Sequence, residues 1–179
     1  VLLALVTVAP VVASYLAFYV WRPEQFKNYG ELIAVTPLSG VPAAEPQAKP
    51  PFDSEPLKGH WVILMVDSGD CVGACKEKLW QMRQLRLTQG KDMDRVTRVW
   101  LVDDGATPAS DLTKEYEGTL VVQAKGSPLM AKFPAGEGQR DHLFLVDPLG
   151  NLMMRFPKDA DPSRIKKDLT HLLKVSRIG

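Results

Sequence analysis

Cys71 and Cys75 are the only two cysteines among 179 residues. They fall where an uninterrupted apolar run, residues 61–66, gives way through Asp67-Ser68-Gly69-Asp70 to Lys76-Glu77-Lys78-Leu79-Trp80-Gln81-Met82. The pattern reads as strand, short loop, helix. A run that is apolar throughout predicts a strand covered on both faces, and so a central place in an α/β sheet. The start of the helix offers unpaired N–H groups and partial positive charge, which favour thiolate over thiol. Thiolates attack disulfides and bind soft metals. The spacing puts the two Cβ atoms roughly 5–6 Å apart across one turn, somewhat wider than a relaxed disulfide prefers and open enough for a metal between the sulfurs, which leaves both outcomes open. A merely stapled loop is the plainer alternative, and closing so short a ring stabilises little.

Residues 1–20 carry no charge. At ~1.5 Å per residue such a helix spans about 30 Å, the thickness of a bilayer core. Residues 1–21 are therefore expected to form a transmembrane anchor, with Tyr15, Tyr19, Trp21 and Arg22 in one interface. A cleaved signal peptide ending near Val11-Val12-Ala13 is the rival, but the apolar run continues past that site to Trp21. Residues 22–56 read as a juxtamembrane segment and Pro-rich linker. Pro37, Pro42, Pro46, Pro50, Pro51 and Pro56 exclude a helix or central strand there and predict an extended spacer. With 22 basic against 21 acidic residues the net charge is +1, and no basic patch interleaved with aromatics points to nucleic acid.

Residues 57–179 suffice for one buried core. After the first strand, the helix is expected to turn Leu79, Trp80, Met82 and Leu85 inward and to keep Lys76, Lys78, Arg83 and Arg86 wet, with Gly90 at its end. Residues 95–102 predict a second strand, 108–117 a helix stopped by Gly118, and 120–124 a third strand. An irregular, glycine-rich stretch follows to residue 140. Residues 142–146 and 152–156 flank Asp147-Pro148-Leu149-Gly150-Asn151, a composition suited to a hairpin turn. Ile165, Leu169, Leu172 and Leu173 place a final helix over 162–175. The order β, α, β, α, β, hairpin, helix implies parallel strands with right-handed crossovers and antiparallel strands at the end. That is an α/β, thioredoxin-like sandwich, in which loops at the carboxyl ends of the parallel strands gather reactive groups.

At this point the sequence resembles the Sco/SenC family of membrane-anchored, thioredoxin-fold proteins that bind copper and assist cytochrome c oxidase assembly. Four features carry the resemblance: the N-terminal anchor, Cys71-x-x-x-Cys75 after the first core strand, Val102-Asp103-Asp104-Gly105-Ala106-Thr107-Pro108 with Leu112 and Tyr116 behind it, and Leu145-Val146-Asp147-Pro148-Leu149-Gly150 preceded by a histidine. Two positions depart from the family's pattern. Lys76 stands where proline usually follows the second cysteine, and Gln139 stands at the spacing of the ligand histidine, three residues ahead of His142.

The resemblance implies copper binding, and a soft three-coordinate set suited to Cu(I) asks for Cys71, Cys75 and His142 together. His142 stands at about the spacing from the final hairpin where thioredoxins carry the cis-proline beside their cysteine pair, the alternative being a surface histidine held by Asp141. The resemblance implies a respiratory oxidase subunit, or the assembly factors of its copper site, as partner. A lone reactive pair beyond an anchor predicts a place on the bacterial inner membrane with the domain in the periplasm, an oxidising compartment. The alternative is a tethered thiol–disulfide oxidoreductase without metal, in which Cys71, expected to be the more exposed, attacks and Cys75 resolves. A thioredoxin-like binding module without chemistry is the third reading, with residues 125–140 as its contact loop. Asp67, Asp70 and Asp103 are expected at the same rim, as turn and cap residues or as tuners of a thiol. His60 and His171 are expected at the surface, and the six methionines in the packing. Both chemical readings require the two sulfurs to be reachable.

Overall fold

The computed structural model describes residues 2–19, 28–38, 58–134 and 138–178. Helix α1, Leu2–Tyr19, is built from the apolar stretch and contains Pro10. Its 18 residues extend about 27 Å. Among the described residues no helix is long and apolar enough to cross a membrane. Trp21 and Arg22, the expected interfacial residues, lie outside the described residues, as do the prolines from Pro42 to Pro56.

The other strands and α-helices are β1 (Glu31–Pro37), β2 (Trp61–Asp67), α2 (Ala74–Leu87), β3 (Val96–Val102), α3 (Ser110–Glu115), β4 (Thr119–Gln123), β5 (Leu143–Val146), β6 (Asn151–Arg155) and α4 (Pro162–Val175), with short 3-10 helices at Gly90–Arg95, Pro128–Lys132 and Gln139–Asp141. One sheet runs in the order β1-β6-β5-β2-β3-β4. Strands β2, β3 and β4 are parallel neighbours, while β5, β6 and β1 add antiparallel pairs. The α/β thioredoxin-like expectation holds, and each predicted element between residues 61 and 175 is present within a few residues of its predicted ends.

Two cores flank the sheet because strand residues alternate between its faces. On one face Ile63, Met65, Trp100 and Leu145 meet Leu79, Met82 and Leu85 of α2 and Ile165, Leu169 and Leu173 of α4. On the other, Leu64, Val66, Leu101, Phe144 and Val146 pack with Leu129 and Phe133. Met65, Met82 and Met154 are buried packing residues, as expected.

The sheet has one strand more than predicted. Strand β1 comes from the segment read as spacer, so the domain takes in residues ahead of 57. It is an edge strand, which is where its closing Pro37 is tolerated. Its start is fixed by Asp168 of α4, whose Oδ2 accepts from the amides of Tyr29 and Gly30, each at 2.8 Å. Gly30 lies so close to β6 that a Cβ there would come within 2.4 Å of the Met154 sulfur.

Candidate redox site

Strand β2 ends at Asp67, and its carboxyl end, with that of parallel β3, opens onto the loop that carries Cys71 and leads to Cys75 in the first turn of α2. The two cysteines are joined as a disulfide, with Cα atoms 5.1 Å apart. The intervening loop is tightly folded. Cys71 N donates to the Ser68 carbonyl and Cys75 N to the Val72 carbonyl, both at 3.2 Å. Cys71 takes φ +40° and Gly73 φ +55°. For a non-glycine residue that left-handed backbone is costly, and such positions cluster at functional sites. No side chain caps α2; the Cys75 and Lys76 amides donate to the Val72 and Gly73 carbonyls, and the helix dipole favours a Cys75 thiolate when the pair is reduced.

The expectation of a reachable pair is corrected for this oxidised form. Cys71 is 0% and Cys75 2% exposed, and Cys71 is no more open than its partner. Both sulfurs belong to the α2-side core with Leu79, Leu112 and Tyr116. Val72, between the two cysteines on the loop, is 75% exposed.

Three polar groups, Lys78, Arg140 and Asp104, to which the sequence assigned no structural role, hold this end of the sheet together. Lys78 is buried rather than wet, and Trp80 is 52% exposed rather than buried. Lys78 Nζ lies 2.7 Å from Asp67 Oδ2 and donates to the carbonyls of Val66, at 3.3 Å, and Arg140. The available signal was spacing: Cys75, Lys78, Leu79, Met82 and Leu85 form one helical stripe, and Lys78 falls on it. Arg140 grips Asp103 through two bonds of 2.8 and 2.6 Å, which raises the guanidinium above its ordinary value. Asp104 Oδ1 accepts from the amides of Gly69 and Ala106, each at 3.0 Å. Its bond from the Ser68 hydroxyl, then the Gly69 amide, the Ala106 amide and Arg140, hold its pKa down at about 2. Gly69 must be glycine, because a Cβ there would sit 2.2 Å from the Ala106 carbonyl oxygen. Asp70 is exposed, and Asp67 and Asp103 are ion-paired structural groups of the rim.

His142 does not join the cysteines. Its ring lies edge-on to Phe144 at 6.2 Å between centroids, and Phe144 belongs to the core on the opposite face of the sheet from the disulfide. Strand alternation decides this: Leu143 and Leu145 face the disulfide side, Phe144 the other. His142 Nδ1 is also engaged 2.7 Å from the Phe156 carbonyl. Gln139 is no substitute, since its amide donates to the carbonyls of Met130 and Phe133 at 2.9 and 3.1 Å. Among the described residues no group of three His, Cys, Asp or Glu is placed to hold a metal. The expected copper set of Cys71, Cys75 and His142 is therefore not assembled, and sulfurs bonded to each other offer no thiolate ligand. His171 is exposed as expected, whereas His60 is half-buried.

Fold and disulfide together define a thioredoxin-fold domain with a two-cysteine centre at the carboxyl ends of its parallel strands. The chain belongs to the family described as transmembrane-like, thioredoxin-like, C-terminal domain, which matches residues 61–176. No curated protein matches it by sequence. Among solved structures it is similar to apo Sco1 of Thermus thermophilus, at 17% identity and TM-score 0.56 over 86% of this chain and 98% of that one. Copper-bound yeast Sco1 is similar at 15% identity and TM-score 0.56, covering 85% and 96%. The dsbF protein of MTB, in mixed oxidised and reduced forms, is similar at 20% identity and TM-score 0.52, covering 68% and 87%. The chain thus has a Sco-like thioredoxin fold.

Proposed function

We infer that the chain is a membrane-tethered thiol–disulfide oxidoreductase of Sco-like fold, acting on cysteines of a partner on the oxidising side of a membrane. The observation that carries this reading is the disulfide between its only two cysteines, set at the junction of a central strand and an uncapped helix start. In the reduced form the Cys71 thiolate attacks a partner disulfide, forming a mixed disulfide and releasing one partner thiolate. Cys75 then attacks the Cys71 sulfur and releases the second. The dithiol has given two electrons to the partner and become the disulfide described above. Cys71 is assigned the attacking role because it rides on the loop, whereas Cys75 is fixed in α2. Burial of the oxidised pair means that re-reduction requires the Cys71 loop to lift, a local opening rather than global unfolding.

The absence of charge from residues 1–20, rather than the length of α1, supports a single-pass anchor, with the domain on the periplasmic face of a bacterial inner membrane. Likeness to Sco structures supports the copper-site cysteines of a respiratory oxidase subunit, or of its assembly factors, as the partner's reactive groups. Copper carriage is the second reading, favoured by the likeness to copper-bound yeast Sco1 and opposed by the position of His142.

Trapping with Cys75→Ser in the full chain tests the redox reading: a stable mixed disulfide through Cys71 is expected, and its absence overturns it. Copper carriage predicts a one-to-one Cu(I) complex in reducing buffer that is lost in Cys71→Ser, Cys75→Ser and His142→Ala. If Cys71→Ser/Cys75→Ser still restores oxidase activity in cells, the domain is a binding module.

A further inference from the structure

Arg98, in the middle of β3, points to the α2 side of the sheet and is only 5% exposed. Its Nη2 donates to the Glu117 carbonyl at 2.6 Å, while Nε and Nη1 are buried and meet no acceptor. Beside it in the β3–β4 register stands Thr119, whose hydroxyl is likewise buried without a partner. No carboxylate among the described residues forms an ion pair with Arg98. The neighbouring charges are cations instead: burial first, then Arg86 and Arg83 of α2, press the guanidinium below its ordinary value.

A buried charge is normally paired, and a buried donor normally finds an acceptor. Here one guanidinium has no charged partner among the described residues and leaves two of its three nitrogens without an acceptor. Capping the turn after α3 accounts for Nη2 but not for the other two nitrogens. Arg86 is committed elsewhere, to the Val96 carbonyl and Asp94, both at 2.9 Å. Arg83 spans the outside, reaching the Glu115 carbonyl at 3.4 Å, a long bond that opens easily.

We propose that Arg98 and Thr119, with Arg83 as the outer wall, form a binding site for a small oxyanion such as phosphate or the carboxylate of a small metabolite. The anion supplies the negative charge that the chain does not, accepting from the Arg98 N–H groups and the Thr119 hydroxyl while Arg83 swings from Glu115 to close over it. Gly118, at φ +81°, keeps the turn tight: a Cβ there would stand 3.1 Å from Arg98 Nη2. The site lies apart from the disulfide and does not rest on the redox reading.

The test is titration of the full chain in detergent with inorganic phosphate, against sodium chloride at matched ionic strength. Expected are a saturable shift of the Arg98 Nε–H resonance and a rise in Tm of about 3–6 °C at phosphate roughly tenfold above half-saturation. Thr119→Val, nearly isosteric, is expected to weaken half-saturation about tenfold, as does loss of a hydrogen bond to a charged group. Arg83→Gln is expected to weaken it as well. Arg98→Lys removes the response; if that variant does not fold, the other two decide. Equal effects of phosphate and chloride, or an undiminished phosphate response in Thr119→Val and Arg83→Gln, overturn the proposal.

Discussion

Lys78 and Arg98 are two buried cations on the same side of the sheet, one at each end of α2, and the chain treats them oppositely. Lys78 has three donors and three acceptors, the Asp67 carboxylate and two carbonyls. Arg98 has five donors and a single carbonyl. Burying a charge costs several kcal/mol unless it is paired, so the Lys78 end carries its own compensation and the Arg98 end does not. The contrast separates a cation that braces the disulfide end from one that awaits something outside the chain.

The sharpest way to break this comparison is to truncate the two in turn. Lys78→Met leaves the buried Asp67 carboxylate without its cation partner, with the Ser68 amide still donating to Oδ1 at 2.8 Å, and is expected to cost about 3–5 kcal/mol in denaturant unfolding. Asp67→Leu with Lys78→Met should recover most of that loss. A cost for Lys78→Met below about 1 kcal/mol would mark the pair as a solvent-screened one.

Gly69→Ala forces the Cys71 loop off the Ala106 carbonyl. Overpacking of this kind costs about 1–3 kcal/mol, and reduction of the disulfide by dithiothreitol should speed up because the lifted loop uncovers it. Unchanged reduction kinetics in a destabilised variant would show that the loop is not the cover.

Asp104 offers a pH window. Its pKa is depressed from 3.8 to about 2, so its contribution to stability is complete above the ordinary value and is lost as pH falls through about 2. Urea midpoints between pH 5 and 2 should decline less in Asp104→Asn than in the parent. Parallel declines would assign acid lability to other carboxylates.

Arg98→Met, measured in phosphate-free buffer, is expected to be neutral to about 1 kcal/mol stabilising, because it removes an uncompensated buried charge. A large loss would show that the Glu117 bond, not an absent anion, justifies the arginine.

The parts of this fold legible in the sequence are those written in local periodicity. The 162–175 helix has its apolar stripe, a cap at Asp161 whose carboxylate accepts from Ser163 N at 2.8 Å, and Pro162 in its first turn. The hairpin has Asp147, whose Oδ1 accepts from Leu149 and Asn151 at 2.9 and 2.8 Å. The rest depends on partners far along the chain. Strand β1 is mostly exposed and shows no clean alternation, so only its pairing with β6 makes it a strand. Residue type alone sends Lys78 outward and Trp80 inward; Asp67, eleven residues back, reverses the first. His142 is near the site by spacing, yet which side of the sheet its ring takes is set by the parity of the hairpin.

The stitching of β1 along β6 has a practical corollary. A chain cut after Pro37 would lose the strip that shields β6, baring unpaired amides and carbonyls beside Met154 and Phe156. Such a raw border recruits other strands, so fragments trimmed to the sequence-predicted boundary at 57 should clump, and shortened versions ought to retain the residues from 28 onward.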